Sequence, residues 1–344
     1  MGYANTPKFL GDATFTALDG NAYTQIIMQT FVHNQGDAWL WTLDRLGRAI
    51  QPTSYANIAI EALAVENASP MEELTGFATI LGQRLAELHN ALATPSNDPA
   101  FTPEAMNEAK IAAWRQRITS QLLAALDILN ATTWQNELDA NNVATLVSQK
   151  NDLLQLIDAL LKQSANCMQT RVHGDFHLGQ VLVISGDVMI IDFEGEPTRT
   201  LEERREKDCP LRDVAGLMRS FSYAAAFIEK SDNASPTIVD DTNRQQLLQL
   251  YLGNSQAAFM QAYCQTYTFN ETYTLTGIRP KINKNTMANP QQTLPYQLQA
   301  VLNLYMLEKV SYEIGYEAAN RPNWLSVPLQ GLIKLVQSIQ EFES

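Results

Sequence analysis

Arg171-Val-His-Gly-Asp-Phe-His-Leu-Gly-Gln-Val-Leu182 and Ile190-Ile-Asp-Phe-Glu-Gly-Glu196 are the two stretches that decide the fold. Between them, Val181-Leu-Val-Ile184 and Val188-Met-Ile-Ile191 are β-prone runs joined by Ser185-Gly186-Asp187, a tight-hairpin signal. That hairpin fixes the spacing of two acids, Asp175 on the loop that enters it and Asp192 where the chain leaves it.

Transfer of a phosphoryl group from a nucleotide needs an acid that orients the attacking hydroxyl and accepts its proton. It also needs oxygen ligands that hold magnesium on the phosphates. Asp175 suits the first role, and Asp192 with Gln180 suits the second. His173, Asp175 and His177 could also be read as a transition-metal site, but His33 and His89 lack the neighbours that would complete one.

His173-Gly-Asp175 followed by an amide at Gln180 and by Ile191-Asp192-Phe193 resembles the catalytic and metal-binding loops of the aminoglycoside phosphotransferase branch of the protein-kinase-like fold. The longer strings Asn34-Gln-Gly-Asp37-Ala-Trp39, Glu203-Arg-Arg-Glu-Lys207-Asp208 and Pro210-Leu-Arg-Asp213-Val-Ala-Gly216 resemble those of the maltokinases, which phosphorylate maltose at its anomeric carbon and are often fused to a trehalose synthase.

The resemblance runs from near residue 7 to the C-terminal helix. It implies an α+β, protein-kinase-like fold, with a truncated nucleotide-binding lobe over residues 1–36 and a mostly helical catalytic lobe over residues 37–344. That lobe would carry a helical insertion near 95–165 and the catalytic hairpin at 170–196. The implied cofactors are ATP and Mg2+, the acceptor maltose, and the partner a trehalose synthase.

By the same resemblance Asp175 is the catalytic base, steadied by His173, and Gln180, Asp192 and Glu194 are candidate metal ligands. Gln180 stands where most of the wider fold has Asn. Gln29, Phe31, Val32 and Asp37 mark a hinge against the adenine. The sugar wall would draw on His177, Asp208, Glu308, Tyr312, Tyr316, Arg321 and Trp324, because hydroxyl-rich ligands ask for planar polar groups and an aromatic face. Arg212 and Asp213 would support the loop, and Glu196 would pair with Arg199, Arg204 or Arg205.

The chain has 344 residues, 45% of them apolar, enough for a large core. A formal charge of −13 argues against nucleic acid or an anionic membrane surface as partner. Cys167, Cys209 and Cys264 are far apart, with neither zinc spacing nor a disulfide framework, which fits a reducing cytoplasm. No run approaches the roughly 18 apolar residues of a spanning helix.

In chain order, residues 9–18 and 23–32 alternate around Asp19-Gly20-Asn21 as a first hairpin, and Asp37 caps a helix through Leu46. Helices are expected at about 70–93, 104–130, 136–164, 211–229, 241–267, 294–320 and 327–342. Loops are expected at 94–103 and 276–295, and 197–207 takes the place of an activation segment. The helices of 104–164 read as a brace without chemistry, and His89 as a core or capping residue.

A kinase of this fold also carries a phosphate-covering loop, a lysine on the phosphates and a glutamate that holds it. None of the sixteen glycines stands one residue from another, and Lys8 is the one lysine before Lys110. Gly174 to Gly179 has Walker spacing but ends in Gln180 and lies inside the catalytic string. The chain therefore reads as starting inside the nucleotide-binding lobe, as a piece of a longer polypeptide with impaired turnover. The rival expectations are a kinase of another small hydroxylated substrate, of aminoglycoside or choline type, and a non-catalytic domain that docks on a trehalose synthase.

Overall fold

The structure is a computed structural model that describes residues 2–50, 69–164, 167–231, 241–268, 294 and 296–343. It opens with an antiparallel hairpin, β1 (Phe9–Thr16) and β2 (Ala22–Gln29), that turns at Gly20 with φ +84°. Its apolar side chains lie in solvent, Ile26, Ile27, Met28 and Phe15 among them. The expected loop at 276–295 falls almost wholly outside the described residues.

Beyond the hairpin the chain is helical. Helix α1 (Ala38–Ile50) begins where the Asp37 carboxylate accepts the Leu40 amide at 2.9 Å. Helix α2 (Pro70–Leu92) is set by a capping box between Ser69 and Glu72 with Pro70 at its first position. The insertion is two short strands and three helices: β3 (Glu104–Ala105), α3 (Glu108–Ala131), α4 (Glu137–Ser148), α5 (Lys150–Gln163) and β4 (Met168–Gln169). Two expected boundaries shift. Helix α3 starts at its Asn107 cap because residues 104–105 pair with 168–169, and the helix expected over 136–164 breaks at Gln149 with no glycine or proline there to mark it.

A second hairpin follows as β5 (Val181–Ile184) and β6 (Asp187–Ile190), paired Val181 to Ile190 through Ile184 to Asp187. The turn is the two residues Ser185 and Gly186, with Gly186 at φ +72°. Asp187, expected in the turn, is a strand residue that takes a bidentate contact from Arg84 of α2 at 2.7 and 2.9 Å. Helices α6 (Leu201–Arg205), α7 (Leu211–Ser231), α8 (Asp241–Thr266), α9 (Tyr296–Asn320) and α10 (Ser326–Glu343) complete the described elements.

The core centres on α9, which packs against α3, α5, α7 and α10. Leu298, Val301, Leu304, Tyr305, Leu307, Val310 and Ile314 bury apolar surface around it. The same helix buries Glu308, Glu313 and Glu317, and each meets a partner from a neighbouring segment or from its own C-terminal end. Arg219 of α7 grips Glu313 at 2.6 Å, for example. Buried carboxylates need such partners, since an ion left alone in a core costs several kcal/mol, on the order of 3–5 when one member of a pair is removed.

Candidate active site

The site begins with one buried carboxylate. Asp213, in the first turn of α7, accepts the His173 amide at 2.8 Å and the Gly174 amide at 2.9 Å. Gly174 has φ +86°, the left-handed turn that aims consecutive amides at one acceptor. His89, fully buried in α2, holds the same carboxylate through Nε2 at 3.0 Å and meets the Tyr263 hydroxyl through Nδ1 at 2.8 Å. Because a carboxylate only accepts, Nε2 carries a proton toward Asp213. Burial alone would raise the Asp213 carboxyl, but the bond and charge of His89, with the loop amides, hold it below the usual carboxylate value.

His173 joins that loop to the hairpin. Its Nε2 donates to the Ile191 carbonyl at 2.8 Å, and Nδ1 faces the Asp175 amide at 3.4 Å. The ring sits between Phe176 and Phe193. Asp175 and the residue before Asp192 therefore hang on one imidazole. Gly216 of α7 lets the loop approach closely, since a Cβ there would lie 2.4 Å from the Phe176 carbonyl oxygen.

Gln180 and Asp192 meet across the open end of the hairpin. The Gln180 carbonyl accepts the Ile191 amide at 3.0 Å, and its side-chain amide donates to Asp192 at 2.9 Å. Asp192 takes φ +63°, the one non-glycine residue with positive φ among the described residues. Such a conformation is uncommon for aspartate and worth a functional reading. Glu194 is exposed and offers its backbone carbonyl to Arg204 at 3.5 Å. Among the described residues no three His, Cys, Asp or Glu side chains form a metal cluster. One carboxylate and one amide oxygen remain, a donor set suited to a magnesium ion that takes its other ligands from phosphates and water.

The segment expected as the hinge, Gln29 to Val32, leads into residues that lie beside this hairpin. Gln35 N–H donates to the Val183 carbonyl at 2.8 Å, Val183 N–H to the Gly36 carbonyl at 3.0 Å, and Asp37 bridges to Leu182. Gln29 ends β2, Phe31 stands in solvent with its ring edge on His33, and Val32 offers its carbonyl to the Asn34 amide.

A cavity of about 220 Å3 opens beside Asp175. Its wall takes Gly174, Asp175 and Phe176 from the loop, Glu196, Thr198 and Arg199 after the hairpin, Arg212 from α7, and Glu308, Lys309 and Tyr312 from α9. Lys309 Nζ stands 3.8 Å from Asp175 and over the Tyr312 ring at 5.4 Å. Glu308 is saturated: Trp114 Nε1 donates at 2.7 Å, Arg117 at 2.8 Å and Arg199 at 3.0 Å. Burial would raise its carboxyl, yet Arg117, Arg212 and Arg199 hold it low. Glu196 pairs with Arg212 at 3.0 Å and Arg199 at 3.3 Å, so it meets one of its expected partners and neither Arg204 nor Arg205. Burial works against it too, and the charges of Lys309, Arg212 and Arg199 keep it below its ordinary value.

Several residues expected at the sugar wall stand elsewhere. Asp208 binds Arg212 at 3.1 Å and the Tyr305 hydroxyl, outside the cavity lining. Arg321 is spent on Glu317 and lies between the rings of Tyr316 and Trp324, while Trp324 stacks on Tyr223. Tyr316 stacks on Tyr312 but is not in the wall. His177 caps its own 3-10 turn, its Nδ1 accepting the Gly179 amide at 3.0 Å, and its Nε2 lies 3.9 Å from Asp175. Its imidazole is held below the usual histidine value by burial first, against the charge of Asp175. Conversely, Arg117 and Gln121 of α3 line the cavity, though the insertion reads as a brace from sequence. The one sequence signal was a tryptophan, an arginine and a glutamine at helical spacing.

The chain has the protein-kinase-like fold of the aminoglycoside phosphotransferase type, with the loop, hairpin and helical lobe described above. The family model described as "Phosphotransferase enzyme family" matches residues 48–195. A glucosamine kinase from Mycolicibacterium smegmatis is 23% identical over 327 residues, 95% of this chain and 66% of that protein. A glucosamine kinase from Streptacidiphilus jiangxiensis is 25% identical over 190 residues, 55% of this chain and 38% of that protein. Among solved structures, a glucosamine kinase in complex with glucosamine, ADP and inorganic phosphate superposes with a TM-score of 0.68 at 19% identity, over 97% of this chain and 65% of the other. The chain thus spans just under two thirds of the first of these relatives and less of the second. The relatives carry the name glucosamine kinase, where the sequence strings pointed to maltokinases.

Proposed function

We propose that the chain carries the catalytic lobe of an ATP-dependent sugar kinase. The observation that supports it most is the single imidazole of His173, which ties the loop of Asp175 to the backbone next to Asp192. In this reading Asp175 receives the hydroxyl of the sugar in the cavity and takes its proton as the phosphoryl group transfers. Lys309, beside Asp175, faces the charge that gathers on the transferring group. Asp192 and Gln180 would hold Mg2+, which when bound neutralises charge on the nucleotide phosphates. Arg212, bonded to the Gly174 carbonyl at 3.3 Å, keeps the loop against the cavity.

The acceptor we favour is a neutral sugar, with maltose as the one the sequence strings suggest and maltose 1-phosphate as product. Two carboxylates of the wall, Glu196 and Glu308, are occupied by guanidinium groups, which leaves them poorly placed to receive an ammonium. Glucosamine is the second reading, favoured by the names of the relatives. Incubation with MgATP and maltose, glucosamine or glucose, read by phosphorus NMR, tests the proposal. Sugar phosphate is expected. ATP left intact with every sugar, or hydrolysed without sugar phosphate, would refute it.

A further inference from the structure

Helix α3 adds a polar wall to the acceptor cavity, and one atom of it lacks a partner. Arg117 and Gln121 lie one turn apart on the same face and both line the cavity. The Arg117 guanidinium is engaged by Glu308 at 2.8 Å. The Gln121 side-chain oxygen is buried and accepts no hydrogen bond, and no other cavity-lining residue among the described ones has such an atom. Buried polar atoms in native proteins nearly always find a partner, so an orphan in a ligand cavity marks a place where the ligand supplies one. The terminal torsion of glutamine is soft, so a small turn of the amide suffices to offer the oxygen.

The partner must be a donor, and its charge can be argued. Arg117 is the neighbour of Gln121 one turn back, and Arg199 and Arg212 stand in the same wall. Glu308, the carboxylate nearest to them, already accepts from Trp114, Arg117 and Arg199. Glu203, also in the wall and under the charge of Arg199 and Arg117, accepts the Thr200 amide with one oxygen. Against it stand three guanidinium groups, so an ammonium placed here meets net positive charge, whereas a hydroxyl meets no such penalty.

Resting on the proposed kinase reading, we propose that Gln121 accepts a hydrogen bond from a hydroxyl of the sugar, and that α3 thereby sets a preference for a neutral sugar over an amino sugar. Gln121 acts on acceptor choice and not on the phosphoryl-transfer step.

Titration calorimetry on the full chain, with maltose and D-glucosamine as probes in the presence of MgADP, reads this without turnover. Wild type is expected to bind maltose more tightly than glucosamine. Gln121→Leu is expected to bind maltose roughly tenfold more weakly, the loss of one hydrogen bond. Gln121→Glu keeps the size and adds a negative charge, so it is expected to shift the ratio of the two affinities toward glucosamine by roughly tenfold. Unchanged maltose affinity in Gln121→Leu, or an unchanged ratio in Gln121→Glu, would overturn the inference while the kinase reading stands. Failure of wild type to bind either sugar would overturn both.

Discussion

Asp213 shows how much one side chain can hold. It takes two consecutive amides, of His173 and Gly174, and the imidazole of His89, all within 3.0 Å, in a fully buried setting. Replacing it by alanine strands two amides, each at about 1–3 kcal/mol. Asp213→Ala is therefore expected to lower unfolding stability by about 2–5 kcal/mol in urea titrations, and to loosen the loop that carries Asp175. The loop and hairpin that carry Asp175 and Asp192 were legible from sequence, because a short motif and a tight-turn signal mark them. Arg117 and Gln121 were not. They sit in a helix whose polar positions look like a solvated face, and the Glu308 that claims Arg117 lies 191 residues further along the chain. Arg321 and Trp324 misled in the opposite sense, since aromatic and polar groups at helical spacing serve as well to stack on one another as to meet a ligand.

At the scale of elements, glycines report which contacts are tight. Gly216 brings α7 against the loop, and a methyl there collides with the Phe176 carbonyl oxygen. Gly253 lies within α8 with open space around it. Gly216→Ala is expected to cut turnover by about 10–100-fold as the loop shifts, since small misplacements of reacting groups are costly. Gly253→Ala is expected to leave turnover unchanged and add about 0.5–1 kcal/mol of stability by its helix preference. Paired thermal melts and rates check both. Helix starts were readable in places, as at the Asp37 cap and near residue 70. The start of α3 at Asn107 was not, because residues 104–105 pair with 168–169 far along the chain, and the break at Gln149 was not, because no glycine or proline marks it.

For the whole molecule, charge buried around the cavity ties stability to acid. Glu196, Glu308 and Asp213 all titrate below their ordinary values in the folded chain, because arginines, a lysine, His89 and loop amides favour the ionised form over the cost of burial. The unfolded chain then binds more protons, so stability rises with pH in that range. Their contribution is fully present above about pH 4.5 and is lost as pH falls through their folded values. Melting temperature is expected to be flat above about pH 5 and to drop steeply below pH 4.5, with Glu308→Gln weaker overall and less steep. The broad architecture followed from the hairpin strings and the helical periodicities. The cavity did not, since it is assembled from α3, α7, α9 and the loop, whose contacts join residues far apart in the chain.

The central claim is that Asp175 and Asp192 divide one phosphoryl transfer between them, the first acting on the sugar hydroxyl and the second on the magnesium nucleotide. The most direct measurement compares Asp175→Asn with wild type for both sugar phosphate formation from MgATP and MgADP affinity. The account predicts that transfer falls by about 10^2–10^4-fold, the range of a lost general base, while MgADP affinity is kept. Transfer at the wild-type rate, or loss of nucleotide affinity in its place, would contradict it.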